Sequence, residues 1–154
     1  MKHSHLDNNK VSALKVIDLH KQFGTEPVLK GVHLDAAVGD VIFMLGSSGS
    51  GKSTFLRCIN LLEIPDAGTV TIHGETIRMA RDKSNNPIPE DMQQVIRMRS
   101  RLGMVFQSFN LWSHMTVLEN VIEAPIHVLK IPKKEAVERA EALLHKVGIH
   151  DRKN

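Results

Sequence analysis

Gly46-Ser47-Ser48-Gly49-Ser50-Gly51-Lys52-Ser53-Thr54 fits the phosphate-cradling pattern G-x-x-x-x-G-K-[ST] at every required position. The apolar run Val41-Ile42-Phe43-Met44-Leu45 precedes it and reads as a buried strand. Residues 53–62 follow with apolar side chains at Phe55, Leu56, Ile59 and Leu62, which is helical spacing. Strand, glycine loop and helix in that order suit one chemistry. Glycines let the backbone curl so that successive N–H groups face phosphate oxygens, and the new helix adds its positive dipole end. In that arrangement Lys52 reaches the β- and γ-phosphates and the Ser53 hydroxyl ligates Mg²⁺. With Gly near 7% and Lys near 6% of residues, chance produces the pattern in roughly 0.5% of unrelated chains this long. A Gly/Ser turn that binds nothing is the rival reading, and the flanking elements weigh against it. The stretch predicts a nucleoside triphosphate site, or descent from a chain that had one.

The bulk properties leave room for that reading. A chain of 154 residues is one domain's worth, and 42% hydrophobic with 24% charged residues is ordinary globular composition. The net charge of +3 is spread along the sequence, which suits an anionic ligand but lacks the dense basic face of a nucleic-acid binder. The one cysteine, Cys58, excludes an internal disulfide framework, so a reducing compartment is expected and Cys58 reads as a small buried hydrophobe. No apolar run approaches the ~20 residues that span a bilayer. Residues 1–10 are polar without an apolar h-region and read as a flexible N-terminus, where His3 and His5 are tail residues and not a metal pair.

Along the chain, residues 13–19 and 28–36 read as strands, the second with Val28, Val32 and Leu34 on one face, joined by a Gly/Pro turn at 23–27. Pro65-Asp66-Ala67-Gly68 predicts a turn, and the alternating residues 69–73 with 75–78 predict a hairpin closing at Gly74. Residues 79–90 read as an exposed loop insertion, 91–101 as a basic helix and 102–106 as a strand running into Gln107. Thr116-Val117-Leu118-Glu119 matches a capping box, starting a helix to about residue 129 that Pro125 kinks. Pro132 opens a last helix whose stripe Ala136, Val137, Ala140, Leu143, Leu144 and Val147 is expected to face the core before Gly148 stops it. None of His20, His33, His73, His114, His127, His145 and His150 has metal-ligand spacing. This order predicts an α/β phosphate-loop domain that carries an antiparallel β subdomain.

At this point the residues resemble the ATP-binding subunit of an ABC transporter, over essentially the whole chain. The likeness is carried by Val28-Leu29-Lys30-Gly31-Val32, by Gly39-Asp40 and the phosphate loop, by Met104-Val105-Phe106-Gln107 and by residues 109–121. The run from Gly46 to Asn60 is similar to the polar amino acid importers, nearest to histidine and basic amino acid permeases. The resemblance implies a P-loop NTPase fold of the ABC type, with a phosphate loop at 46–54, a Q-loop region at 102–116 and the start of a helical subdomain at 117–148. It implies ATP and Mg²⁺ as cofactors, and the cytoplasmic face of the membrane as the place of a peripheral subunit. It places Phe23 against adenine, where Tyr is common and Phe keeps the stacking face. Gly46, Ser47, Ser48, Gly49, Ser50, Gly51, Lys52, Ser53 and Thr54 hold the phosphates in this scheme. Gln107 touches Mg²⁺ with Ser53 and faces the attacking water, so Lys52 and Gln107 are the catalytic candidates. Implied partners are transmembrane permease subunits docking near Phe109, Leu111 and Trp112, a second ATP-binding subunit and, indirectly, an external solute-binding protein. Nucleic acid is not among them.

The family's L-S-G-G-Q stretch, its apolar strand ending in Asp-Glu and its later switch histidine do not occur in this sequence. Residues 11–154 therefore read as a partial ATP-binding domain, expected to fold poorly alone and to show no turnover above a Lys52→Ala control. Two alternatives stand beside the importer subunit. One is a hydrolysis-incompetent nucleotide-binding or docking module. The other is a small phosphotransferase using Arg97, Arg99 and Arg101 as a lid.

Overall fold

Strand β1 (Ser12–Phe23) turns through Gly24 and Thr25 into β2 (Glu26–Ala37), and the two pair antiparallel from Ser12↔Ala37 to Phe23↔Glu26. The computed structural model describes residues 12–108 and 110–154, and the chain divides into two compact units, Met1–Leu102 and Gly103–Asn154. Both strands outrun their apolar cores because the ladder, once begun, satisfies backbone N–H and C=O groups in polar sequence as well.

The other edge of β1 pairs antiparallel with β3 (Ala67–Ile72), which turns at His73 and Gly74 into β4 (Glu75–Thr76), giving the sheet order β2-β1-β3-β4. Val16 and Leu19 are both buried although three residues apart, which strict alternation forbids. A bulge between Ile17 and His20, with Asp18 at φ 52°, shifts the side-chain phase by one and returns Leu19 to the core. Val28, Val32 and Leu34 of β2 pack against the same core, as their spacing predicts.

Two helices cover this core. Helix α1 (Lys52–Ile59) buries Phe55, Cys58 and Ile59, and α2 (Met92–Arg99) buries Gln94, Val95 and Met98. Cys58 is fully buried, and desolvation pushes its thiol pKa up to about 11, as befits a small hydrophobe. Asp91 caps α2 by accepting from Gln93 N–H. The buried Gln94 amide is fully used: its Oε1 accepts from Arg78 N–H at 3.0 Å, and its Nε2 donates to Thr76 O and Glu75 Oε1. Between β4 and α2 the expected loop contains a small hairpin of its own, β5 (Met79–Arg81) with β6 (Pro87–Pro89). Asp82 closes it by accepting from Ser84 N–H and Asn86 N–H.

In the second unit α3 (Val117–His127) packs on α4 (Lys133–Lys146) through Ile122, Ala136 and Ala140. The capping box forms in both directions, Glu119 N–H to Thr116 Oγ1 at 3.2 Å and Thr116 N–H to Glu119 Oε2 at 2.8 Å. A short 3-10 helix (His150–Arg152) follows α4, and Lys153 then ties the helices together. Its carbonyl accepts from Leu118 N–H and its ammonium donates to Glu141.

Several expectations are corrected. Residues 41–45 and 102–106 carry no strand; Phe43, Leu45 and Val105 are 83%, 91% and 98% exposed. A strand needs a partner strand to complete its ladder, and among the described residues neither run is paired in a sheet. Helix α1 stops at Ile59, because Asn60 and Leu61 (φ 57°) turn the chain, leaving Leu62 half-exposed and Leu61 buried instead. The α4 stripe is narrower than its spacing implies: Ala136, Ala140 and Leu144 are buried, while Leu143 and Val147 stay exposed. Residues 1–10 and Phe109 lie outside the described residues.

Candidate nucleotide-binding site

Asp40 begins the approach to the loop. Its Oδ2 accepts from Ala37 N–H at 2.9 Å and its own N–H donates to Ala37 O, closing the turn out of β2. Residues 41–47 then run irregularly into a turn at Ser48 and Gly49, where Ser50 N–H donates to Ser47 O. Gly51 is the N-cap of α1 in the left-handed region (φ 89°), and its carbonyl accepts from Phe55 N–H at 2.8 Å.

Two glycines stand in close quarters. A Cβ on Gly51 would lie 3.1–3.2 Å from Val28 Cγ1, Leu29 Cδ2 and Val28 O, so the helix start is set directly on β2. A Cβ on Gly46 would stand 2.6 Å from Ser50 Oγ, so the loop closes tightly across its own neck. Lys52 holds that neck. Its ammonium donates to Gly46 O at 2.8 Å, Ser47 O at 2.6 Å and Ser50 Oγ at 3.2 Å, which uses all three of its donors.

The donor set suits an anion. Around the loop stand an ammonium, the hydroxyls of Ser47, Ser48, Ser50, Ser53 and Thr54, and the N-terminus of an eight-residue helix with no acidic residue in its first turn. Residues 46–50 and Ser53 are exposed, which leaves the cradle open to a ligand.

Phe23 ends β1 with its ring 46% exposed, so it is not a core aromatic; Lys21 Nζ stands 5.2 Å from the ring centroid. The same ammonium donates to Ile64 O at 2.7 Å, which fixes it beside the ring. Gln107 belongs to the second unit, where it is exposed on a bend. Leu111 and Trp112, also in that unit, are 59% and 51% exposed.

The three arginines of the phosphotransferase reading are engaged elsewhere. Arg97 pairs with Glu75 at 2.7 Å and Arg101 with the same carboxylate at 3.7 Å. Arg99 donates from Nε to Asn60 O at 2.9 Å and from Nη2 to Leu61 O at 2.7 Å, where α1 ends. These contacts bind α2 to β4 and α1, which makes them architecture and not a lid. Sequence reasoning passed over two polar residues that the structure uses heavily. Gln94 sits on the buried face of α2, and Asn120 bonds back across the start of α3. Neither has a signal in a single sequence, since an amide on a helix reads as a solvated residue.

The ABC transporter family profile matches residues 29–154. The chain is 60% identical over 141 residues to the arginine/ornithine transport ATP-binding protein AotP of Pseudomonas aeruginosa, covering 92% of this chain and 56% of that protein. It is 60% identical over 139 residues to the histidine/lysine/arginine/ornithine transport ATP-binding protein HisP of Escherichia coli, covering 90% and 54%. It thus spans about half the length of the curated relatives it matches. Among solved structures, cbiO1 of Clostridium perfringens, part of the ABC transporter complex cbiONQ, superimposes with a TM-score of 0.67 at 26% identity, covering 94% of this chain and 54% of that one. The loop geometry, the antiparallel sheet beside it and these likenesses agree: the chain belongs to the ABC transporter family and has the fold of its ATP-binding proteins.

Proposed function

We propose that this protein binds MgATP at residues 46–54 as the ATP-binding subunit of an importer for basic amino acids such as histidine. The observation that carries the reading is the Lys52 ammonium, held across the neck of a loop closed by Gly46 and Gly51. An ammonium, several hydroxyls and a helix N-terminus lie within one exposed loop, which favours a polyanion such as a triphosphate over a neutral or positively charged ligand. In this reading Gly46, Ser47, Ser48, Gly49, Ser50 and Gly51 supply backbone N–H groups, and Lys52 exchanges its bonds to Gly46 O, Ser47 O and Ser50 Oγ for the β- and γ-phosphates. Ser53 offers an oxygen of the hard kind that Mg²⁺ prefers, and the Gln107 side chain is an amide of the type that accepts a metal and donates to water. Phe23 stacks on adenine. Residues 102–116 and 117–148 serve as the Q-loop region and the helical part of the domain. The subunit acts as one of a pair at the inner face of the membrane, with Leu111, Trp112 and Phe109 against the permease.

The substrate class rests on the names of the relatives, two of which transport arginine and ornithine. The test is MgATP-dependent retention of this protein on membrane vesicles that contain the permease of an arginine and histidine importer. Retention that Lys52→Ala abolishes is the expected result. Retention equal in the two proteins refutes the assignment.

A further inference from the structure

We infer that Asn120 is a positioning residue that holds the 111–116 loop in shape and so sets Leu111 and Trp112 for the permease; the inference rests on the docking reading above. Asn120 lies on the first turns of α3, four residues after the Thr116 cap. Helical side chains tilt toward the helix N-terminus, so its amide is aimed back at the loop that enters α3. Its Oδ1 accepts from Trp112 N–H at 2.8 Å. Its Nδ2 donates to Trp112 O at 3.2 Å, Met115 O at 3.1 Å and Thr116 O at 2.9 Å. One side chain thus grips both polar edges of the residue Trp112 and the two carbonyls before the helix.

Beside these stand the Thr116–Glu119 capping box and a bond from Met115 N–H to Trp112 O at 3.1 Å, and no helix or strand runs from residue 110 to residue 116. Its apolar side chains do not anchor it either, since Leu111 and Trp112 face solvent. Shape therefore comes from polar contacts, and four of those end on one amide. The chemistry is specific to asparagine. Accepting from one N–H while donating to three carbonyls, with one amide hydrogen shared between two of them, needs an acceptor and an NH₂ group at the end of a short stem. Aspartate has the same outline but offers only acceptors, and it would set a negative charge against three carbonyl oxygens. Apolar groups that must be met by a partner are worth presenting only on a fixed frame, because ordering a loose loop on binding costs affinity.

The test uses Asn120→Asp in the complex purified from membranes with the permease. Losing two or more of these bonds should let the loop open roughly 5- to 30-fold more often. Amide exchange of residues 111–116 should accelerate by that factor, while exchange around Ala140 in α4 stays as in the parent, which shows that the unit still folds. The amount of permease that co-purifies should fall, as it should with Trp112→Ala, which leaves Asn120 itself intact. Unchanged exchange at Trp112 and Met115 in Asn120→Asp overturns the inference. Faster exchange with full permease recovery also overturns it if Trp112→Ala alone lowers recovery, for then docking stands without the clamp. If neither variant lowers recovery, the docking reading fails and the inference goes with it.

Discussion

Replacing Gly51 by alanine tests whether the phosphate loop is built on β2 as the structure has it. Two costs add. Gly51 sits at φ 89° in the left-handed region, where a side chain costs about 1–2 kcal/mol. Its new Cβ would also meet Val28 Cγ1 at 3.1 Å, Leu29 Cδ2 at 3.2 Å and Val28 O at 3.2 Å. Leu29 is buried and Val28 O is backbone, so neither retreats freely, and overpacking of this kind costs about 1–3 kcal/mol. The total is about 2–5 kcal/mol, a large share of a small domain's stability. With a urea slope near 1–3 kcal/mol/M, the unfolding midpoint should fall by roughly 0.7–5 M. Gly49→Ala is the control: it has φ 79° with nothing within 4 Å of a Cβ, so it carries the backbone cost alone. The assay is urea unfolding followed by helical circular dichroism for the parent and both variants. A Gly51→Ala midpoint no lower than that of Gly49→Ala would refute the packing argument. A midpoint equal to the parent's would refute both parts.

Two further outcomes follow from named contacts. Stacking on an aromatic ring is worth about 1–3 kcal/mol, so Phe23→Ala should weaken ATP about 5- to 150-fold while Phe23→Tyr binds as the parent does; equal affinity in all three removes Phe23 from the site. Arg97, with the Gln94 amide, holds the Glu75 carboxyl below its ordinary pKa of 4.5. A depressed folded-state pKa gives stability that is present above the unfolded value and lost as pH falls through the folded one. The stability gap between the parent and Glu75→Gln should therefore be open near neutral pH and close in acid below 4.5. A gap that stays constant down to pH ~3 contradicts that coupling.

The sequence made the local devices legible. The Thr116 capping box, the hairpin that turns at Gly74 and the Asp91 start of α2 each declare themselves within a few residues and form where expected, although the second strand of the hairpin stops at Thr76 and not at Arg78. What depends on distant partners was not legible. Val41–Leu45 and Leu102–Phe106 have every property of a buried strand, yet strand formation is decided by a neighbour's N–H and C=O and not by the run itself. The bulge at Asp18 hides for the same reason, since its register is set by β2 and β3. In the site, the need for glycine at 46 and 51 was visible. That Lys52 spends its donors on Gly46, Ser47 and Ser50 was not, because those contacts exist only once the neck has closed.

The central claim is that Lys52 and its loop hold the phosphates of a nucleotide. Equilibrium binding of MgATP, read by displacement of a fluorescent ATP analogue from the parent and from Lys52→Ala, addresses it directly. Charge-assisted hydrogen bonds are worth about 1.5–3 kcal/mol, so the account predicts displacement in the parent and an affinity about 10- to 150-fold weaker in Lys52→Ala. Equal affinities in the two proteins would contradict it.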